Sequence, residues 1–334
     1  MSRASHRFCV APMMDWTDRH CRFFLRQISR HARLYTEMVT APALMHGDVP
    51  RHLDFDPQEH PVALQLGGSD PTMLAHAAKL GERWGYDEIN LNCGCPSERV
   101  QTGSFGACLM AEPRLVADCV QAMRDAVAIP VTVKHRIGLD YDEDYAFVRD
   151  FVGIVAQAGC EVFVVHARNA VLKGLSPKEN RDVPRLRYEV VHRLKREFPH
   201  LGIVLNGGLD AWPVIERELT HVDGVMLGRV AYHDPMFLAG VDWKLFGDDR
   251  PPPTRERVLR AMIPYAGTQR ALGVPLRSIA RHMLGLYHAR PGGRRFRQLL
   301  SDAARLRDAG PELLLEALAA AEPTQDEAAP ALDE

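Results

Sequence analysis

The 334 residues are 46% hydrophobic and 25% charged with a formal net charge of −2, an ordinary soluble composition that allows one large domain and a smaller one. No apolar run approaches the length of a membrane span, and Ser2 to Arg7 lead into Phe8-Cys9-Val10 without a signal-peptide pattern, so cytosol is the expected compartment. Seven cysteines, an odd number with neither a disulfide framework nor finger spacing, predict reduced thiols and no structural zinc or other metal.

Short β-prone runs alternate with helical stretches along the first part of the chain. They are Phe8–Val10, Leu34–Glu37, Val62–Leu66, Ile89–Asn92, Val131–Lys134, Val162–His166, Ile203–Asn206 and Val225–Gly228. Eight such units in about 235 residues match the count and length of a (β/α)8 TIM barrel, with a doubly wound parallel sheet as the alternative. The runs finish in chemically useful residues: Pro12-Met13-Met14, Glu37, Gln65, Asn92, Lys134, His166, Asn206-Gly207-Gly208 and Gly228-Arg229. Barrel active sites are assembled at these carboxyl ends. A lone His166 or Gln65 is as readily a satisfied surface residue; convergence on one rim gives the set its meaning.

The fourth run is the centre of the pattern. Ile89 and Leu91 alternate with Asn90 and Asn92, and the strand then enters Cys93-Gly94-Cys95-Pro96. Gly94 and Pro96 put Cys95 on a tight turn just past the strand, whereas Cys93 reads as a small buried hydrophobe. Gly103, Ser104 and Gly106 farther on can serve as hinges or as plain turn formers. After the sixth run, Arg168, Lys173, Lys178, Arg181, Arg185 and Arg187 face only Glu179 and Asp182. After the seventh and eighth, glycine backbone and Arg229 stand where barrels commonly bind phosphate, which implies a phosphorylated ligand.

At Asp248-Asp249-Arg250-Pro251-Pro252-Pro253 the character changes. Domains are expected at 1–247 for the barrel, 248–254 for a linker, 255–318 for a small helical domain and 319–334 for a disordered acidic tail. The helical part carries Arg281, Arg290, Arg294, Arg295, Arg297, Arg305 and Arg307 against Asp302 and Asp308. Such a cluster is either a solvated helix face or, with the basic loop after the sixth run, a footprint for phosphodiester backbone.

Six stretches resemble the tRNA-dihydrouridine synthases, and their A-type subfamily most closely. They are Ala11–His20, Gln65–Gly68, Asn90–Pro96, Val133–Gly138, His166–Arg168 and Gly174–Arg181, and the likeness spans roughly residues 6–310. The resemblance implies a barrel binding FMN, NADPH as reductant, and hydride transfer to uridines 20 and 20a of the tRNA D-loop. Position by position it implies flavin contacts at Ala11, Pro12, Met13, Met14, Gln65, Lys134, His166, Asn206, Gly207, Gly208, Gly228 and Arg229. Cys95 would be the proton donor, and Asn92, Lys178, Arg181, Arg294 and Arg297 would contact tRNA. Monomer is the default state. A flavin barrel acting on a free pyrimidine, like the dihydroorotate dehydrogenases, explains the rim but leaves the basic loop and helical domain without work. A non-catalytic RNA-binding barrel would need no flavin.

Overall fold

The computed structural model describes residues 6–97 and 103–322. Nine parallel strands form one sheet: β1 (Phe8–Val10), β2 (Leu34–Tyr35), β3 (Val39–Thr40), β4 (Val62–Gly67), β5 (Glu88–Cys93), β6 (Val131–Arg136), β7 (Val162–His166), β8 (Gly202–Asn206) and β9 (Gly224–Leu227). Their order is β1-β9-β8-β7-β6-β5-β4-β2, with β3 also on β4. Arg33 brings the chain back against β1, its N–H donating to Phe8 O and its carbonyl accepting from Val10 N. The result is a TIM barrel with β2 and β3 as two pieces of one barrel strand.

The expected second strand, Leu34–Glu37, ends early at Tyr35. Thr36 is the reason: Gln65 N–H donates to Thr36 Oγ1 at 3.0 Å instead of to a strand carbonyl, and that hydroxyl itself donates to Glu37 O. Strands β4, β8 and β9 are buried at every position, because helices cover the outside while side chains fill the inside. The crossover helices have legible ends. Asp70 caps Pro71–Trp84 by accepting from Met73 N, and Gly85 closes it in the left-handed conformation; Asp144 caps Tyr145–Gln157 by accepting from Ala146 N.

Inside the barrel, Cys9, Ala11, Tyr35, Ala63, Val164, Val204 and Met226 form an apolar cluster. Beside it the inward positions of β5 and β6 are polar. Near the amino ends of the strands Glu88 is fully buried and accepts from His6 Nε2 (2.7 Å), Tyr35 OH (2.9 Å) and Thr132 Oγ1 (2.6 Å), with Arg33 Nη1 at 3.2 Å. Burial alone would raise its pKa; the His6 and Arg33 charges and the hydrogen bonds from His6 and Thr132 outweigh that and hold it down to about 2. Glu88 is therefore a carboxylate at neutral pH, with its charge satisfied.

The chain separates into two compact units, Met1–Arg19 with His31–Gly228, and His20–Arg30 with Arg229–Glu334. The division falls at Gly228/Arg229, earlier than the proline-rich break read from the sequence. Residues 20–30 belong to the second unit because the Phe23 ring stacks on Tyr265 at 3.8 Å, His20 Nδ1 meets Tyr265 OH at 2.7 Å, and Asp242 accepts from Ser29 Oγ and Arg30 N. The helix Leu313–Ala321 runs past residue 318, so residues 319–321 are helical rather than tail. Leu314, Ala317, Leu318 and Ala321 are buried at helical spacing, and Glu322 accepts from Tyr287 OH. Residues 323–334, the rest of the expected tail, lie outside the described residues.

Candidate active site at the carboxyl ends of the strands

Period-two alternation sends Gln65 of β4, Asn92 of β5, Lys134 of β6, His166 of β7 and Asn206 of β8 to the same mouth of the barrel. The first two touch directly, Asn92 Nδ2 donating to Gln65 Oε1 at 2.9 Å. Ala11 is bonded through its N–H to Leu227 O, and Met13 O accepts from Trp16 N and Thr17 N, which folds residues 11–17 over the end of β1. A Cβ on Gly228 would stand 3.7 Å from Met13 Sδ and 3.8 Å from Ala11 Cβ, so Gly228 adjoins that turn. Met14 is exposed.

Asn92 Oδ1 accepts from both Gly94 N and Cys95 N at 3.0 Å. Arg136 reaches the same turn from β6, with Nε donating to Gly94 O at 3.2 Å and Nη1 to Asn180 O and Asn169 O. Cys95 O accepts from Ala107 N at 2.9 Å. The Cys95 thiol is half-buried with Ser97 Oγ at 3.4 Å, whereas Cys93 is fully buried and its thiol pushed well up by burial. The two cysteines thus differ in burial, Cys95 half-buried and Cys93 sealed. Residues 98–102 of the loop lie outside the described residues; Ser104 and Gly106 both have positive φ.

Positive charge collects around this mouth. Burial, then the Arg136 charge, pushes the Lys134 ammonium down to about 7, and Arg181 adds to the shift. No carboxylate pairs with Lys134 among the described residues. Burial pushes His135 down to about 4 and His166 well below its usual range, the latter helped by Arg136, Lys134, Arg168 and Arg181. The Nε2 atom of His166 is buried without a hydrogen-bond partner among the described residues. Asn206 Nδ2 donates to Met226 O, and Gly207 and Gly208 follow with φ of 108° and 66°. A Cβ on Gly207 would lie 2.9 Å from His166, and one on Gly208 2.4 Å from Leu186, so the chain needs glycine twice here.

An uncompensated ammonium, an unpartnered imidazole nitrogen and a left-handed glycine pair together fit an anionic ring edge with a phosphate tail. That is the donor set an FMN-type flavin asks for. The remaining expected RNA contacts, and Arg229 of the expected flavin contacts, are placed as follows. Lys178 and Arg181 are exposed at the short helix Glu179–Arg181 after β7, where the buried Asn180 ties the loop to Val171 through both amide ends. Arg229 opens the helix Arg229–His233, and Arg294 and Arg297 are exposed on Gly293–Ser301; all three belong to the second unit. Arg136, Asn180 and Glu88 were not singled out from sequence. A period-two reading of Glu88, Asn90 and Asn92 as one polar strand face would have found the last.

The family model described as dihydrouridine synthase matches residues 9–322. A protein of Xanthomonas axonopodis pv. citri is 59% identical over 315 residues, covering 94% of each chain, and one of Pseudomonas aeruginosa is 61% identical over 297 residues, covering 89% of this chain and 90% of that one. A third, from Synechocystis, is 56% identical over 311 residues and 93% of each chain. All three are named tRNA-dihydrouridine(20/20a) synthase. Among solved structures, a 2-naphthoyl-CoA reductase complex superposes with a TM-score of 0.54 at 10% identity, over 70% of this chain and 49% of that one, a likeness of fold. The chain belongs to the dihydrouridine synthase family and is an oxidoreductase.

Proposed function

We propose that this protein reduces the C5–C6 double bond of uridines 20 and 20a in the tRNA D-loop; its relatives carry the name tRNA-dihydrouridine(20/20a) synthase. The observation that carries the reading is the mouth of the barrel, where a reachable thiol stands on a doubly anchored turn beside the unpaired Lys134. FMN, when bound and reduced there, supplies a hydride for uracil C6. Lys134 places positive charge where negative charge develops, His166 offers Nε2 to the ring edge, and Gln65 with residues 11–14 borders the ring. Asn206, Gly207, Gly208, Gly228 and Arg229 take the phosphate. Cys95 holds the proton for C5 and must be protonated before the step, unlike a nucleophilic thiolate. Asn92 spends its oxygen and one N–H on the turn and on Gln65, which leaves the second Nδ2 hydrogen for a base carbonyl.

A uridine stacked in folded tRNA cannot reach a recessed mouth, so the base is splayed out; Lys178 and Arg181 on the first unit, and Arg294 and Arg297 on the second, each offer contacts to the RNA backbone. NADPH is the reductant, no resident metal is required, and the enzyme works as a cytoplasmic monomer. The deciding test is an anaerobic visible spectrum taken before NADPH, after it, and after adding tRNA lacking dihydrouridine. Flavin bands that bleach with NADPH and return only with the tRNA support the reading; bands that bleach and stay bleached, or no bands after FMN addition, overturn it.

Two smaller predictions follow from the same geometry. Gly208→Ala has to place a Cβ against Leu186 at a φ of 66°, so FMN retention should weaken about ten-fold or more, read by flavin fluorescence on titration. Lys178→Ala with Arg181→Ala should lower tRNA affinity for all tRNAs alike and flatten the log K against log salt slope by about 1–2, read by filter binding.

A further inference from the structure

A line of hydrogen bonds runs through the barrel from the buried carboxylate at one end to the thiol turn at the other. Gly94 N and Cys95 N donate to Asn92 Oδ1, Asn92 Nδ2 to Gln65 Oε1, Gln65 Nε2 to Asn90 Oδ1, Asn90 Nδ2 to Thr132 Oγ1, and Thr132 Oγ1 to Glu88 Oε1. Each link measures between 2.6 and 3.0 Å, and Glu88, Asn90, Thr132 and Gln65 are at most 1% exposed. Every donor points the same way. The reason is chemical: a carboxylate can only accept, so Thr132 must give Glu88 its hydroxyl hydrogen and is left with only lone pairs for Asn90. Asn90 then has to present Nδ2 to Thr132 and Oδ1 to Gln65, and the same constraint passes to Gln65 and Asn92. At the far end it delivers the oxygen of Asn92, not its NH2, to the two backbone N–H groups that hold Cys95.

We propose that Glu88 and Thr132 are positioning residues for the proton donor, fixing through Asn90, Gln65 and Asn92 the amide orientation that holds the Gly94–Cys95 turn. The line is not a proton wire, because three of its members are side-chain amides that do not relay protons at neutral pH. It acts by direction, and in a buried chain of this kind each bond polarises the next. The inference rests on the reading of Cys95 as the acid.

The discriminating substitution is Thr132→Val, nearly isosteric and leaving the His6–Glu88–Arg33 cluster in place; Thr132→Ser restores the hydroxyl. Hydrogen–deuterium exchange of the 90–97 segment in flavin-free protein should be about ten-fold faster at Gly94 and Cys95 in Thr132→Val and near wild-type in Thr132→Ser. In the loaded enzyme, Thr132→Val should slow tRNA-driven reoxidation about ten-fold with KM for tRNA and the rate of NADPH reduction little changed. Unchanged exchange and reoxidation in Thr132→Val overturn the proposal, as does an equal loss in Thr132→Ser. Slowing of both half-reactions to the same degree also overturns it, since that is what general loosening produces. Cys95→Ala run alongside separates the two levels: if it too reoxidises at the wild-type rate, the reading of Cys95 has failed rather than the positioning line.

Discussion

Cys95→Ala should bind FMN and tRNA within a few-fold of wild-type while tRNA-driven reoxidation of the reduced enzyme falls by about 10²–10⁴, the usual worth of a positioned general acid. The selectivity follows from the anchoring of the turn. Gly94 and Cys95 are held by backbone groups, through Asn92 Oδ1, Arg136 Nε and Ala107 N, so deleting the sulfur removes a proton without releasing the loop. Stopped-flow absorbance in the flavin band, with NADPH reduction measured separately, reads the two halves of the cycle. Cys93→Ala is the matching control: that thiol is fully buried, on the strand face opposite Asn92, and its loss should leave both rates unaltered apart from a small cavity cost. Loss of flavin from Cys95→Ala would count against the proton-donor role.

Lys134→Met should cut the rate of flavin reduction by about 10²-fold or more, the typical cost of losing one preorganised electrostatic group. The same variant carries a test of sign. Lys134 titrates at about 7 in the folded, flavin-free protein, against its ordinary 10.5. Between those values the unfolded chain binds the extra proton and the folded one does not, so this group makes stability rise with pH across the window. Its cost is fully present below about 7 and gone above 10.5. Flavin-free Lys134→Met should therefore melt a few degrees higher than flavin-free wild-type at pH 6, with the gain vanishing toward pH 10. A lower melting temperature at pH 6 would mean that the ammonium is already compensated. Anion binding opposes the shift, so FMN should stabilise wild-type more than the variant at pH 7.

Much of this was legible because a barrel writes its strands plainly. Runs such as Val162–His166 are covered by helices outside and packed within, so they read as continuous β-prone segments with a polar last residue. The strand-borne site residues were legible for the same reason: Gln65, Asn92, Lys134, His166 and Asn206 are polar positions at or near the carboxyl ends of otherwise apolar runs. The interior line was harder to see, because Glu88 begins a strand and its partners His6, Arg33, Tyr35 and Thr132 are scattered over the sequence. The polar face of Glu88, Asn90 and Asn92 is a local pattern, but nothing local names the distant residues that satisfy its charge. The unit boundary was hidden for a related reason. The helix Arg19–Arg26 buries His20, Phe23 and Phe24, and nothing in its periodicity says which partner those rings meet. The proline-rich stretch at 251–253 is a conspicuous break in sequence, yet the change of packing partner comes earlier, at Arg229.

That discontinuity has a consequence for biosynthesis. Phe23 and His20 leave the ribosome early, but Tyr265, which they pack against, is made more than 200 residues later. At roughly 5–20 residues per second the wait is about 10–50 s, during which an aromatic-rich helix near the amino terminus has no home. Folding of the second unit therefore cannot finish until the Tyr265 segment has been made. By the same logic a fragment beginning at Arg229 lacks part of its own core, the part that residues 20–30 supply.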